Sequence, residues 1–257
     1  MGTSGSTEAI SHGKVSSIPR NHLVIAIDGP AGAGKSTVGK MLAARLGALY
    51  IDTGAMYRAI AWLGLQAGVL HPGEHTIPLT QSQEQALTNL ANTTQVRLTG
   101  DPFHLSVWAN DEDVTTAIRT IEVTRYASVG SAVPGVRTAM VAQQRHMGAT
   151  GSVVLDGRDI GTYVFPDASF KFFLDASVEI RSQRRYAELQ AKGDRTPLDV
   201  IQAEVIERDH RDRTRAMAPL LQADDAIYID TSGLPPEKVV EWMVTVISQA
   251  PWPPPEP

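Results

Sequence analysis

The run from Gly29 to Thr37, GPAGAGKST, satisfies the pattern G-x-x-x-x-G-K-[ST] in full. Gly29, Gly32 and Gly34 keep side chains out of the space between backbone N–H groups and an anion, and Pro30, Ala31 and Ala33 complete a loop of small residues around phosphates. A helix expected over 35–46 turns its positive end to the same place. There Lys35 reaches the β- and γ-phosphates of a nucleoside triphosphate, the Ser36 hydroxyl binds Mg2+, and Thr37 ends the ATP-binding set. A dinucleotide fingerprint does not fit, since Thr37 stands where a third Gly or Ala is required.

The triphosphate loop alone does not separate hydrolysis, transfer and sensing. Transfer to a phosphorylated acceptor needs a second anionic pocket facing the first, and three clusters have that character. DTGAMYR (52–58) sets Tyr57 and Arg58 on a helix directly after an apolar run, with Asp52 at its start. SVVLDGRD (152–159) puts Arg158 and Asp159 just beyond another, with Asp156 placed to hold the Mg2+ water shell; Asp175, after FKFFL, is its rival for that role. In ERDHRDRTR (207–215) a helical stripe of Leu198, Ile201, Val205, Arg208, Asp212 and Arg215 is apolar in its first half and charged in its second. Such a stripe faces a ligand or an ion-pair network; the plainer alternative is a solvated run in which Arg208 pairs with Asp212 at i,i+4.

These clusters must be held by elements of fixed order. LVIAI (23–27), ALYID (48–52), SVVLD (152–156), FKFFLD (170–175) and AIYID (226–230) are short apolar runs spaced by helical ones, the pattern of a parallel sheet covered on both faces. Ligands gather at the carboxyl ends of such strands. TQVRLTGDPFHLSVWANDEDV alternates on both sides of TGDP and reads as an antiparallel hairpin inserted between the second and third parallel strands. Residues 1–20 are small and polar, a tail expected to be disordered, and 251–257 form a proline-rich tail. The domain between them spans 21–250.

With 257 residues, 42% of them hydrophobic, the chain suits one globular domain with insertions. A net charge of −5 argues against a nucleic acid partner, and no apolar run approaches a membrane span. There is no cysteine, which excludes disulfides and cysteine-ligated metals, and no secretory signal; a cytoplasmic monomer is expected.

Taken together, IDGPAGAGKST, DTGAMYR, IRT, YASVGSAVPGVR, DGRDIGT, VFPDA and ERDHRDRTRAMAPL resemble the cytidylate kinase family, in order and spacing, over roughly residues 23–232. The resemblance implies transfer of the γ-phosphoryl of ATP to CMP or dCMP with Mg2+. It also implies an α/β P-loop NTPase fold of three layers, with a five-stranded parallel sheet, a small antiparallel β insert (about 88–118) in the monophosphate-binding region and a helical lid (about 178–200). Carried onto this chain, Arg58, Arg158 and Arg215 hold the CMP phosphate, Arg208 and Asp212 contact the ribose, and Ser128, Arg137 and Asp159 read the cytosine. Cytosine offers an amine donor beside two acceptors, which suits that last trio; without the resemblance, Arg137 reads as a surface residue after Pro134. Lid closure brings one or more of Arg181, Arg184 and Arg185 onto the transferring group. Catalytic weight falls on Lys35, Arg158 and Arg215. Among other classes, a GTPase switch lacks its N-K-x-D motif and a transporter ATPase its L-S-G-G-Q; a UMP/CMP kinase or another small-metabolite kinase stays as the alternative.

Overall fold

The computed structural model describes residues 22–73 and 79–250. The two expected tails lie outside the described residues. Five strands form one parallel sheet: β1 (Val24–Asp28), β2 (Leu49–Asp52), β6 (Val153–Asp156), β7 (Phe170–Asp175) and β8 (Ile227–Asp230), in the order β2-β6-β1-β7-β8. Because side chains alternate across a strand, Val24 and Ala26 enter one core and Ile25 and Ile27 the other. The first core is closed by α2 (Thr53–Gln66), α3 (Gln81–Thr93), α4 (Ile121–Gly130) and α5 (Pro134–Gly148). The second is closed by α1 (Lys35–Leu46) and α8 (Pro236–Gln249). Burial on both faces explains why the strands read as unbroken apolar runs. This is the three-layer arrangement expected.

Register sets the site. Asp52 and Asp156 are paired neighbours across β2 and β6, and Ile27 faces Asp156 across β1. Three carboxylates, Asp28, Asp52 and Asp156, therefore end adjacent strands at one sheet edge. Chain order reverses around β1, whose neighbours are β6 and β7, and such a switch point opens the crevice where ligands bind.

The hairpin is present as β3 (Val96–Gly100) and β4 (Leu105–Ala109), with a short β5 (Glu112–Asp113) added. Val96, Val107 and Ala109 are buried in the first core, so the insert is fastened to the domain.

The proposed lid begins with α6 (Val178–Ala191), joined to α7 (Leu198–Thr214) through a cluster of three buried residues, Leu189, Ile201 and Val205. At about 1.5–3 kcal/mol per buried aliphatic, that cluster supplies far less than either main core. The α7 stripe differs from expectation at both ends. Leu198 opens the helix and is 39% exposed. Arg215 lies one residue beyond the last helical turn with φ −61° and ψ 142°, yet is buried.

Candidate functional site

Gly29 leaves β1 with φ 142°, and a Cβ there would stand 1.9 Å from the Leu174 carbonyl oxygen of β7. Glycine is thus required by contact as well as by φ. Gly32 packs on α6 less tightly: its Cβ would lie 3.0 Å from Arg181 Cβ. Lys35 is buried and its Nζ donates to the Pro30 carbonyl at 2.6 Å, across the mouth of the loop. Burial, then the nearby Arg158 guanidinium, push its pKa well below the usual lysine value. Any ammonium so placed is stabilised by an arriving polyanion.

The Ser36 hydroxyl donates to Asp156 Oδ2 at 2.6 Å. Asp156 also accepts from Tyr50 OH at 3.0 Å, and its carbonyl accepts from Thr53 Oγ1 at 2.6 Å. Burial, with Asp52 beside it, raises the Asp156 pKa. Hard oxygen donors at the end of a phosphate loop suit Mg2+, which binds through one or two carboxylates, water and substrate phosphates. Asp175 has another use: its Oδ1 accepts from the Ala176 N–H at 2.8 Å and lies 3.9 Å from Arg181 Nε.

Opposite the loop, one cavity of about 940 Å³ is lined by both the P-loop and the arginine clusters. Asp52 caps α2 by accepting from the Ala55 N–H (2.8 Å) and holds Arg58 through its other oxygen (3.0 Å). Asp28 accepts from the N–H groups of Ile160 (2.8 Å) and Gly161 (2.7 Å), which ties the turn carrying Arg158 and Asp159 to the end of β1. Burial raises the pKa of Asp28 to about 6. Asp159 is paired with Arg137 and, at 3.1 Å, with Arg215. Arg137 is 1% exposed, which overturns the plain reading of a surface residue after Pro134. It also lies over the Tyr57 ring, 5.6 Å from its centroid, and burial moves the Tyr57 hydroxyl pKa up to about 12.

Asp212 takes Arg158 Nε at 2.9 Å; Arg208, its expected i,i+4 partner, stays 4.0 Å away. Although burial pushes the Asp212 carboxyl up, Arg158, Arg208 and Arg215 together hold its pKa below the ordinary value. Burial and then Arg158 bring the Arg208 pKa down to about 10. Arg215 is lowered as well, by burial and then by Arg137. Among the described residues, the buried Nε atoms of Arg137 and Arg208 have no hydrogen-bond partner. Buried donors at these positions need an acceptor, which the carboxylates present do not supply.

Sequence reasoning passed over several residues here. Arg211, one turn from Arg208, donates to Ser128 Oγ at 2.7 Å and to Glu207 at 2.7 Å. It lies beside the stripe traced on α7, and its i+3 offset from Arg208 was the available signal. Tyr50 was read as part of an apolar strand. Thr231, which accepts from Arg184 and donates to the Ala33 carbonyl, carried no motif at all.

The fold and the glycine-rich loop define a P-loop protein of the α/β class. Comparison with known proteins narrows the class: the family model "Cytidylate kinase" matches residues 25–249. A bifunctional pantoate ligase/cytidylate kinase of Synechococcus sp. (strain JA-2-3B'a(2-13)) is 50% identical over 234 residues, covering 90% of this chain and 41% of that protein. The chain therefore spans about two fifths of that relative. The cytidylate kinases of Geobacillus sp. (strain WCH70) and Solibacter usitatus (strain Ellin6076) are 47% and 49% identical over 230 residues each; they cover 90% and 89% of this chain and are themselves 98% and 93% covered. The chain belongs to the cytidylate kinase family.

Proposed function

We propose that the protein transfers the γ-phosphoryl group of ATP to CMP or dCMP, giving ADP and CDP or dCDP. The observation that carries this is a cavity in which the triphosphate loop faces Arg58, Arg158, Arg208 and Arg215, with the buried Arg208 Nε lacking a partner among the described residues. Arg58, Arg158 and Arg215 already pair with Asp52, Asp212 and Asp159, yet arginines outnumber carboxylates along the cavity wall, and that surplus of positive charge suits anionic ligands. ATP occupies the loop formed by residues 29–37, with Lys35 leaving the Pro30 carbonyl for the phosphates. Arg58, Arg158 and Arg215 hold the CMP phosphate, Arg208 and Asp212 its ribose, and Ser128, Arg137 and Asp159 its base. Tyr57 floors the base end through its contact with Arg137.

Ser36 and Asp156 would hold Mg2+, which supplies neutralisation of charge on the β- and γ-phosphates. The acceptor phosphate is its own nucleophile, so no side chain need act as a strong base. Positioning and charge neutralisation by Lys35 and the arginines carry the step. Of the three lid arginines, Arg185 is our choice for the transferring group. Arg181 and Arg184 are tethered to P-loop carbonyls, whereas Arg185 pairs with the exposed Glu188 at 2.7 Å.

An ADP-release assay with ATP–Mg2+ and a panel of CMP, dCMP, UMP, AMP and no acceptor tests the proposal. Turnover with CMP and dCMP alone is expected. Equal turnover with UMP would remove the base assignments and keep the kinase, and release independent of acceptor would return the site to an ATPase.

A further inference from the structure

Arg181 was a candidate for touching phosphate, but its side chain is buried and engaged on three sides. Nη1 donates to the Ala31 carbonyl inside the P-loop at 3.2 Å, Nε donates to the Ala176 carbonyl at 2.9 Å, and Nη2 pairs with Asp209 Oδ2 of α7 at 2.6 Å. The P-loop meets the same residue again at Gly32, where a Cβ would crowd Arg181 at 3.0 Å and the positive φ of 80° also favours glycine. On α7, Asp209 follows Arg208 directly and precedes Asp212 by three residues, and Asp212 holds Arg158. Contacts thus run from the donor loop through Arg181 to Asp209, and the body of α7 joins Asp209 to the side chains proposed for the acceptor. The apolar contact between α6 and α7 is small, with Leu189, Ile201 and Val205 buried and Val178 and Tyr186 partly buried against them, so the Arg181–Asp209 pair adds a polar tie to a modest interface.

We infer that the Arg181–Asp209 pair is a positioning device that couples the two substrate sites, so that a nucleotide in the P-loop tightens CMP binding on α7. Phosphates drawn into the loop reorient the peptide units around Ala31 and Gly32. Arg181 transmits that to Asp209 and so to the angle at which α7 presents Arg208 and Asp212. Coupling of this kind is a free energy shared by the two ligands, and it acts in both directions. The inference rests on the acceptor assignment proposed above.

The test is titration calorimetry of CMP into the full chain, with and without Mg2+ and a non-hydrolysable ATP analogue, giving the ratio of the two dissociation constants. A wild-type ratio on the order of tenfold is expected. Asp209→Ala should bring it within about twofold of unity while leaving the affinity for CMP alone unchanged, and Asp209→Glu, which keeps the charge, should restore most of it. Should Asp209→Ala fail to fold by circular dichroism, Asp209→Asn keeps an oxygen without the charge and should give a ratio between wild type and unity. A wild-type ratio of one, or a wild-type ratio retained in the Asp209 variants, overturns the coupling and leaves the acceptor reading standing. Absence of CMP binding in the wild type under both conditions sinks the acceptor reading, and the coupling with it.

Discussion

Arg158 shows how much one side chain depends on its partners. Its Nε is taken by Asp212 and its Nη1 by the Gly157 carbonyl, which fixes the guanidinium plane at the cavity wall. A cation held this way costs no reorganisation when charge develops on a transferring phosphoryl group. Its removal should therefore fall on the chemical step. Arg158→Ala is expected to lower kcat by about 10²–10³-fold while changing ATP affinity by less than about threefold, as steady-state kinetics and nucleotide titration would read it. Equal loss in both would move Arg158 to the donor side. Arg158 and Asp159 were legible because they follow an apolar strand in a short polar turn, and Arg58 because it stands early on a helix that directly follows one. Arg137 was not, since nothing in PGVR says that its helix will be turned inward onto Asp159.

At the scale of elements, the turn after β6 carries Arg158 and Asp159 and is hung from Asp28 of β1. That carboxylate is fully enclosed, and its pKa of about 6 lies above the value of 3.8 for an unfolded chain. The sign follows from proton uptake. Between pH 3.8 and about 6 the folded form binds the proton that the unfolded form has released, so the contribution of Asp28 to stability is greatest below that window and falls as pH rises through it. Asp28→Asn cannot ionise. The unfolding free energy of the wild type relative to this variant should fall by about 3 kcal/mol between pH 3.5 and pH 7, measured by urea unfolding at each pH. A flat difference would mean that Asp28 ionises normally in the fold. Element types were readable from pattern: the P-loop helix runs from Lys35 to Leu46, the span expected, and stops at Gly47 in the left-handed conformation. The α7 stripe was readable in its middle only. Its ends depend on where the helix stops, and Arg215 reaches the site because the chain turns extended there.

For the whole molecule, the two main cores fasten the sheet and its covering helices, and the α6–α7 pair hangs between donor loop and acceptor pocket on three buried apolar residues and a few ion pairs. Ligands that bridge these parts should stabilise the fold as a unit. Each substrate analogue at about 100 times its dissociation constant contributes about 2.7 kcal/mol. The rise in Tm with CMP and a non-hydrolysable ATP analogue together should exceed the sum of the separate rises, measured by differential scanning calorimetry. Strict additivity would indicate independent sites.

The linear chain by itself determined the phosphate loop, the strand and helix types and the residues placed just past strand ends. Those features are local: they follow from spacing within about a dozen residues and from the conformations that glycine, proline and alternating apolar positions permit. Which carboxylate meets which arginine was settled only by the tertiary structure. The Ser36–Asp156, Arg137–Asp159, Arg158–Asp212 and Arg181–Asp209 contacts join residues 120, 22, 54 and 28 positions apart. A periodic pattern cannot choose among a dozen like charges. That choice is made by strand register and helix packing, which bring the partners together while excluding water, the condition under which an unpaired charge becomes costly.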